Sequence, residues 1–395
     1  MRLLDKYIIY SSVFALFTED FSFHYIIDWK LFYLIVITNL SLLSIKNKVF
    51  IHKNLIYIIL FFLIHGILFF LLFKNPIKSL FVQLIGISIC SIFYYSLIKN
   101  YTAKKMFDVY LQVALIVAVI SIPMFFLNIN VFTAGRLNGI MSEPAHYAAI
   151  MLPAVYVFLK KKSFLKLSII LLTIMLSRSS IGYLGLALIL VLPILKLKLF
   201  FKYSFIVLII LCSCFFYLKS VWNKPTDDAG GNVLVRRIKE TNESLNSIFS
   251  GKFQSHTNLS SYAVLSNSFI TTQILINKPF GSGLGAYPYE YDKYYGLMKP
   301  PEYLVKLKLS KINRTDASSL FLRMLGDLGF FALIIVLYFI YRGVKVFSVD
   351  KKVIEQGSFF YLIIKLIREG HYFPPEFYFF LIIFLKDFNE NTAHS

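Results

Sequence analysis

The chain has 395 residues, of which 57% are hydrophobic and 16% charged, with a formal net charge of +20 and a mean hydropathy of +0.68. Those values exclude an ordinary soluble domain and describe an all-α polytopic membrane protein. The positive charge falls in short clusters between apolar segments rather than along one face, so it reads as topology and sets aside a nucleic-acid partner.

Taken in chain order, apolar segments lie at 7–24, 29–45, 55–73, 79–98, 107–128, 145–159, 164–177, 180–195, 201–219, 318–341, 354–367 and 374–386. They predict a transmembrane helix bundle of about 12 spans, some of them short. The basic start Met1-Arg2-Leu3-Leu4-Asp5-Lys6 leads into further membrane segments with no small-residue cleavage site, so the first span is expected to be retained. Cys90, Cys212 and Cys214 all sit inside apolar segments, where they act as small hydrophobes and offer neither a disulfide framework nor a metal set.

Lysine and arginine clusters occupy alternate gaps: Lys46/Lys48/Lys53, Lys99/Lys104/Lys105, Lys160/Lys161/Lys162/Lys166, Lys196/Lys198/Lys202 and Arg342/Lys345/Lys351/Lys352. By the positive-inside rule these gaps and both termini face the cytoplasm. The opposite gaps hold Glu19/Asp20, the stretch 74–78, Arg136–His146, Ser177-Arg178-Ser179, residues 220–317 and Arg368–His371, and all face outward. The chain therefore divides into spans one to nine over 1–219, including an outward loop at 129–146, then a long outward loop at 220–317, then three spans and a cytoplasmic tail at 318–395.

The long loop begins with a turn-rich exit, Lys224 to Asn232, and contains an amphipathic helical pattern over 259–277. Gly281-x-Gly283-x-Gly285 follows no strand and opens no βαβ unit, so it reads as a tight turn rather than a nucleotide motif. Tyr287, Tyr289, Tyr291, Tyr294 and Tyr295 suit an interface or a sugar-binding surface equally.

Charge set between two apolar spans is costly unless it is used, which singles out Arg136, Glu143 and His146. Glu143 precedes Pro144, a pair that favours an extended residue followed by a helix start, and Gly135 and Gly139 let the backbone fold back. The plainer alternative is an interfacial loop whose charges simply reach water. Arg178, at a serine-rich hairpin between two short spans, either snorkels or binds an anion. Arg323 and Asp327 are four apart and pair along one helix face, either to fix packing or to act directly. His371, beside Arg368 and Gly370, suits ligand or acid/base work or simple capping. Together, outward cations, a carboxylate and two histidines describe a site for an anionic, phosphorylated substrate with an acid/base group nearby.

At these residues the chain resembles the bacterial O-antigen and capsule repeat-unit polymerases, the Wzy family of the O-antigen ligase-like superfamily. The resemblance rests on Arg136-x-x-Gly139-x-x-x-Glu143-Pro144-x-His146, Ser177-Arg178, Lys278-Pro279-Phe280-Gly281-x-Gly283-x-Gly285, Leu322-x-x-x-Gly326-Asp327-x-Gly329 and Arg368-x-Gly370-His371-Tyr372-Phe373. It implies a bacterial inner-membrane enzyme whose active site faces the periplasm. Without metal or cofactor, such an enzyme moves a growing glycan from undecaprenyl diphosphate to a sugar hydroxyl of the next lipid-linked repeat unit. It further implies the lipid bilayer as partner, with room for a chain-length regulator.

On that resemblance Arg136, Arg178, Arg323 and Arg368 bind the diphosphate-linked substrate, Glu143 or His371 is the base, and His146 supports it. The related ligases resemble a His-Asn-x-Tyr-Leu pattern before the tenth span, and here Ser318 stands at that His, which favours polymerase over ligase. A lipid-linked oligosaccharide flippase or other transporter is the alternative of a different class, and it would place charge at the bilayer midplane.

Overall fold

A computed structural model describes residues 3–193 and 246–386, apart from residues 19, 26, 133, 134, 256 and 375. The apolar segment 201–219, the cluster Lys196/Lys198/Lys202, Cys212, Cys214 and the exit from Lys224 to Asn232 lie outside the described residues. In order, the helices are α1 (Leu3–Phe14), α2 (Leu31–Ile45), α3 (Lys53–Phe73), α4 (Ile77–Tyr101), α5 (Ala103–Phe126), α6 (Pro144–Lys160), α7 (Phe164–Ser177) and α8 (Ser180–Val191). They continue as α9 (Leu259–Asn277), α10 (Tyr287–Tyr295), α11 (Glu302–Lys306), α12 (Leu320–Leu328), α13 (Phe330–Phe347), α14 (Val353–Ile367) and α15 (Phe377–Leu385). The protein is an all-α membrane protein: among the described residues α3, α4, α5 and α13 are each long and apolar enough to cross a bilayer.

Two expected spans take a different form. The segment 7–24 does not stay helical, because α1 passes into a short 3-10 turn (Ala15–Phe17) where the Thr18 hydroxyl donates to the Ala15 carbonyl at 2.9 Å. Beyond it the chain turns into an antiparallel hairpin, β1 (Ser22–Tyr25) with β2 (Ile27–Lys30). The alternation of polar and apolar residues in Ser22-Phe23-His24-Tyr25 suits a strand rather than a membrane helix. The segment 318–341 is broken into α12 and α13 at Gly329, whose φ of +60° and ψ of −136° no side-chain-bearing residue adopts cheaply.

The chain forms two compact units. The first comprises the described residues of 1–64, 81–193 and 339–395. Its centre is α6, whose residues from Tyr147 to Phe158 are all buried. Helix α14 runs antiparallel to α6: the Tyr156 hydroxyl donates to Gln356 near one end, and His146 faces Glu369 at the other. Helices α5, α7 and α8 complete the packing around α6. Lys160 closes α6, Lys161 and Lys162 follow it, and Lys351/Lys352 precede α14, so this antiparallel pair collects these lysines at one end. The polar loops 135–146 and 368–371 lie at the opposite end, about 25 Å away along a helix of this length.

The second unit comprises residues 65–80 and the described residues of 194–338. Asn258 caps α9 by accepting the Ser261 amide at 2.9 Å, and α9 buries Tyr262, Phe269, Ile270 and Ile274. Its apolar core joins Phe269, Ile270 and Ile274 to Tyr287, Tyr291 and Tyr294 of α10. Tyr295 donates to Ser310 at 2.7 Å, and Tyr289 is exposed. Most of that tyrosine run is therefore packing surface.

Candidate active site

The loop before α6 is shaped by a two-residue ladder, β3 (Val131–Phe132) against β4 (Arg136–Leu137), with Gly135 at φ +63° in the connection. Asn130 donates to the Gly139 carbonyl at 2.9 Å and Asn138 to the Met141 carbonyl at 2.7 Å, so the returning backbone is tied within the loop. Glu143 is extended (φ −134°, ψ 146°) and Pro144 opens the helix, as its fixed φ allows. The Glu143 side chain makes no capping hydrogen bond and is exposed.

Arg136 points back to α7. Its Nε donates to the Ser177 carbonyl at 3.2 Å, and the guanidinium lies 5.6 Å from the Phe132 ring centre. The last carbonyls of a helix lack intrahelical partners and carry the negative end of the dipole, so a cation is drawn there. The next residue, Arg178, closes α7 in the left-handed conformation (φ +46°, ψ +35°) and leaves its side chain exposed. Arg136 and Arg178 thus share one helix end.

His146 lies in the first turn of α6. Its Nε2 is 3.5 Å from Oε2 of Glu369, and its Nδ1 is 3.4 Å from the Ser142 hydroxyl. Glu369 sits at φ +77°, a conformation that costs of order 1–3 kcal/mol outside glycine and persists only where the surroundings enforce it. Here they do: Lys365, one turn back on α14, forms an ion pair with Glu369 and stands 3.2 Å from Oε1 of Glu376. The Tyr361 hydroxyl donates to that same Glu376 oxygen at 2.6 Å.

Tyr361, Lys365, Glu369 and Glu376 are all buried. Burial by itself pushes the Glu369 carboxyl up, but the positive charges of His146, Lys365 and His371 outweigh it and hold the group well below the usual carboxylate range. Arg368 is half-buried beside it and His371 is exposed.

Two contacts therefore join three polar loops far apart in sequence: Arg136 to Ser177, and His146 to Glu369. Arg136, Arg178, His146, Arg368 and His371 all belong to these loops. Sequence reading missed Ser142, Tyr361, Lys365, Glu369 and Glu376. A signal existed, since Tyr361, Lys365 and Glu369 follow one another at helical spacing of four at the end of an apolar segment.

Arg323 lies in the second unit. It is buried, with Nε 3.9 Å from Oδ2 of Asp327. Asp327 accepts the amides of Gly285 and Tyr287, each at 2.9 Å, and so pins the glycine run. Gly281, Gly283 and Gly285 have φ of +88°, +97° and +80°, which makes the run a tight turn. Lys278 forms a buried ion pair with Glu290 and places its ammonium 3.8 Å from the Phe73 ring centre. Ser318, where the ligases are expected to have His, is buried and donates to the Ala263 carbonyl at 3.0 Å. Among the described residues no group of three or more His, Cys, Asp or Glu is arranged to hold a metal ion.

Residues 165–337 match the family model described as O-antigen ligase. That stretch includes Arg178, the Lys278–Gly285 run and Arg323–Gly329; the loops around Arg136 and Glu369 flank it. No curated protein matches the chain. The O-antigen ligase match fits a member of the O-antigen ligase-like superfamily and an enzyme of polysaccharide biosynthesis acting in a membrane.

Proposed function

We propose that the protein polymerises undecaprenyl-diphosphate-linked oligosaccharide repeat units at the periplasmic face of the bacterial inner membrane. The observation that carries this reading is the convergence of the loops at 136–146, 177–178 and 368–371 through Arg136–Ser177 and His146–Glu369. Transfer from a lipid diphosphate needs cations where negative charge grows on the departing group and a base for the acceptor hydroxyl. Arg136, Arg178 and Arg368 supply the first, and the histidines supply the second.

The orientation is supported by α6 and α14, which collect Lys160–Lys162 and Lys351/Lys352 at one end and the polar loops at the other, as a cytoplasmic and an outer end should be. Both termini are then cytoplasmic. Polymerase is preferred to ligase because Ser318, tied into the core of the second unit, offers no imidazole at the position where the ligases are expected to have one. A flippase would need its charge at mid-bilayer, whereas these cations sit at helix ends.

The test is incubation of purified protein in lipid nanodiscs with a synthetic undecaprenyl-diphosphate repeat unit. Polymer plus released undecaprenyl diphosphate supports the proposal. Translocation across a liposome without polymer overturns it in favour of a transporter.

A further inference from the structure

The groups behind His146 carry unequal charge. Lys365 brings one ammonium to two carboxylates, Glu369 and Glu376, and all three side chains are buried. With His146 neutral, these four groups alone sum to one negative charge, a charge that His371 also faces, so a further positive charge beside the buried carboxylates is favoured. A proton arriving on His146, 3.5 Å from Glu369, brings the sum to zero.

The geometry also says which ring nitrogen receives it. Glu369, acceptor-only as a carboxylate, faces Nε2, so Nε2 carries the hydrogen and Nδ1 is left with its lone pair. The hydroxyl of Ser142 stands 3.4 Å from that Nδ1, in the position of a donor. An alcohol already marks the place where an acceptor alcohol would give up its proton.

We propose that His146 is the catalytic base of the site and that the buried cluster of Glu369, Lys365 and Glu376 is its proton sink. This rests on the glycosyl-transfer reading above. In the step, the acceptor hydroxyl oxygen forms a bond to the anomeric carbon and the bond from that carbon to the phosphate oxygen breaks. The bonding pair leaves with the diphosphate, and the hydroxyl proton passes to Nδ1 of His146 and later to water. Glu369 and Lys365 are positioning residues: Glu369 fixes the tautomer and accepts the field of the new imidazolium. Lys365 keeps Glu369 ionised and, with Tyr361, holds Glu376 beside it.

Other charged groups at this end of α6 come from several elements. Lys365, Arg368, Glu369, His371 and Glu376 belong to α14 and the segment after it, Arg136 and Glu143 to the preceding loop, and Arg178 to the end of α7. Residues 112–126 of α5 and the whole of α8 contain no charged residue.

The experiment uses the full chain in lipid nanodiscs with isotope-labelled histidine rings. The His146 signal is assigned by its loss in His146→Gln, and its titration is compared in the native chain, Glu369→Gln and Glu369→Asp. In Glu369→Gln the His146 ring should titrate at lower pH, and Glu369→Asp should restore part of the difference. With the synthetic repeat unit, Glu369→Gln should lower kcat about 100-fold and leave KM within about twofold. Should Glu369→Gln fail to fold, Glu376→Gln removes one negative charge from the cluster and leaves His146, Glu369 and Lys365 in place. In that variant the His146 ring should also titrate at lower pH, by less than in Glu369→Gln.

A His146 titration indifferent to Glu369→Gln, or to Glu376→Gln where the first variant does not fold, overturns the proton sink whether or not polymer forms. A native chain that couples His146 to Glu369 yet makes no polymer overturns the glycosyl-transfer reading, and with it the base role, while leaving the coupling established.

Discussion

Arg136 donates its Nε–H to the Ser177 carbonyl at 3.2 Å, which places the cation of one polar loop at the helix end where Arg178 is the cap. The bond uses one edge of the guanidinium, and among the described residues no other hydrogen bond engages it, a division of labour that a lysine ammonium cannot reproduce in a plane. Arg136→Lys should therefore lower polymer turnover about tenfold at unchanged protein level, although charge is conserved. Chain-length ladders from cells and turnover by the purified variant read this. A native ladder for Arg136→Lys would remove the planar contact from the mechanism.

Asp327 holds the glycine turn by using both of its oxygens: Oδ2 accepts the Gly285 amide and Oδ1 the Tyr287 amide. Asparagine has one acceptor oxygen, so Asp327→Asn leaves one buried amide facing an NH₂ group. The expected loss is about 2–4 kcal/mol, a buried donor left unsatisfied plus a weakened charge-assisted bond. Denaturant unfolding in detergent measures it.

Much of the fold was legible because its determinants are local. The apolar segments give α3 to α5 almost in full, Glu143-Pro144 marks the start of α6, and Arg323 and Asp327 pair at the spacing one helix turn dictates. What was not legible depends on distant partners. Nothing near His146 in the chain announces Glu369, 223 positions on, and the lysine that balances Glu369 reads locally as one more membrane-flanking cation. The tyrosines of α10 were ambiguous for the same reason, since a surface stripe and a core stripe have one spacing, and only packing against α9 assigns Tyr287, Tyr291 and Tyr294 to the core.

Two glycines with similar φ should respond very differently to a methyl group. At Gly329 an added Cβ would lie 2.2 Å from the Pro279 carbonyl oxygen and 2.4 Å from the Gly281 nitrogen, both backbone atoms that cannot swing aside. At Gly135, also at positive φ, nothing among the described residues lies within 4 Å. Gly135→Ala should cost only the left-handed backbone penalty, about 1 kcal/mol. Gly329→Ala adds a steric shift of the 279–281 turn and should cost at least about 3 kcal/mol. Parallel unfolding curves for the two variants, or equal costs, would show that the 279–281 turn yields without resistance.

The charge on Glu369 makes an acid limb of stability predictable in sign. Its carboxyl is held at about 2 in the folded protein, against an ordinary value of 4.5, because the cations around it outweigh the cost of burial. A group with a depressed folded pKa binds more protons in the unfolded chain over that interval, so its contribution is fully present above pH 4.5 and is lost as pH falls toward 2. Glu369→Gln should thus be less stable than the native chain at neutral pH, because Lys365 is left with Glu376 alone, and should show a shallower decline between pH 4.5 and 2. Thermal unfolding in detergent across that interval compares the two slopes. If both chains lost stability at the same rate, Glu369 would not be ionised in the folded protein, and Lys365 and His146 would have to be balanced by another group.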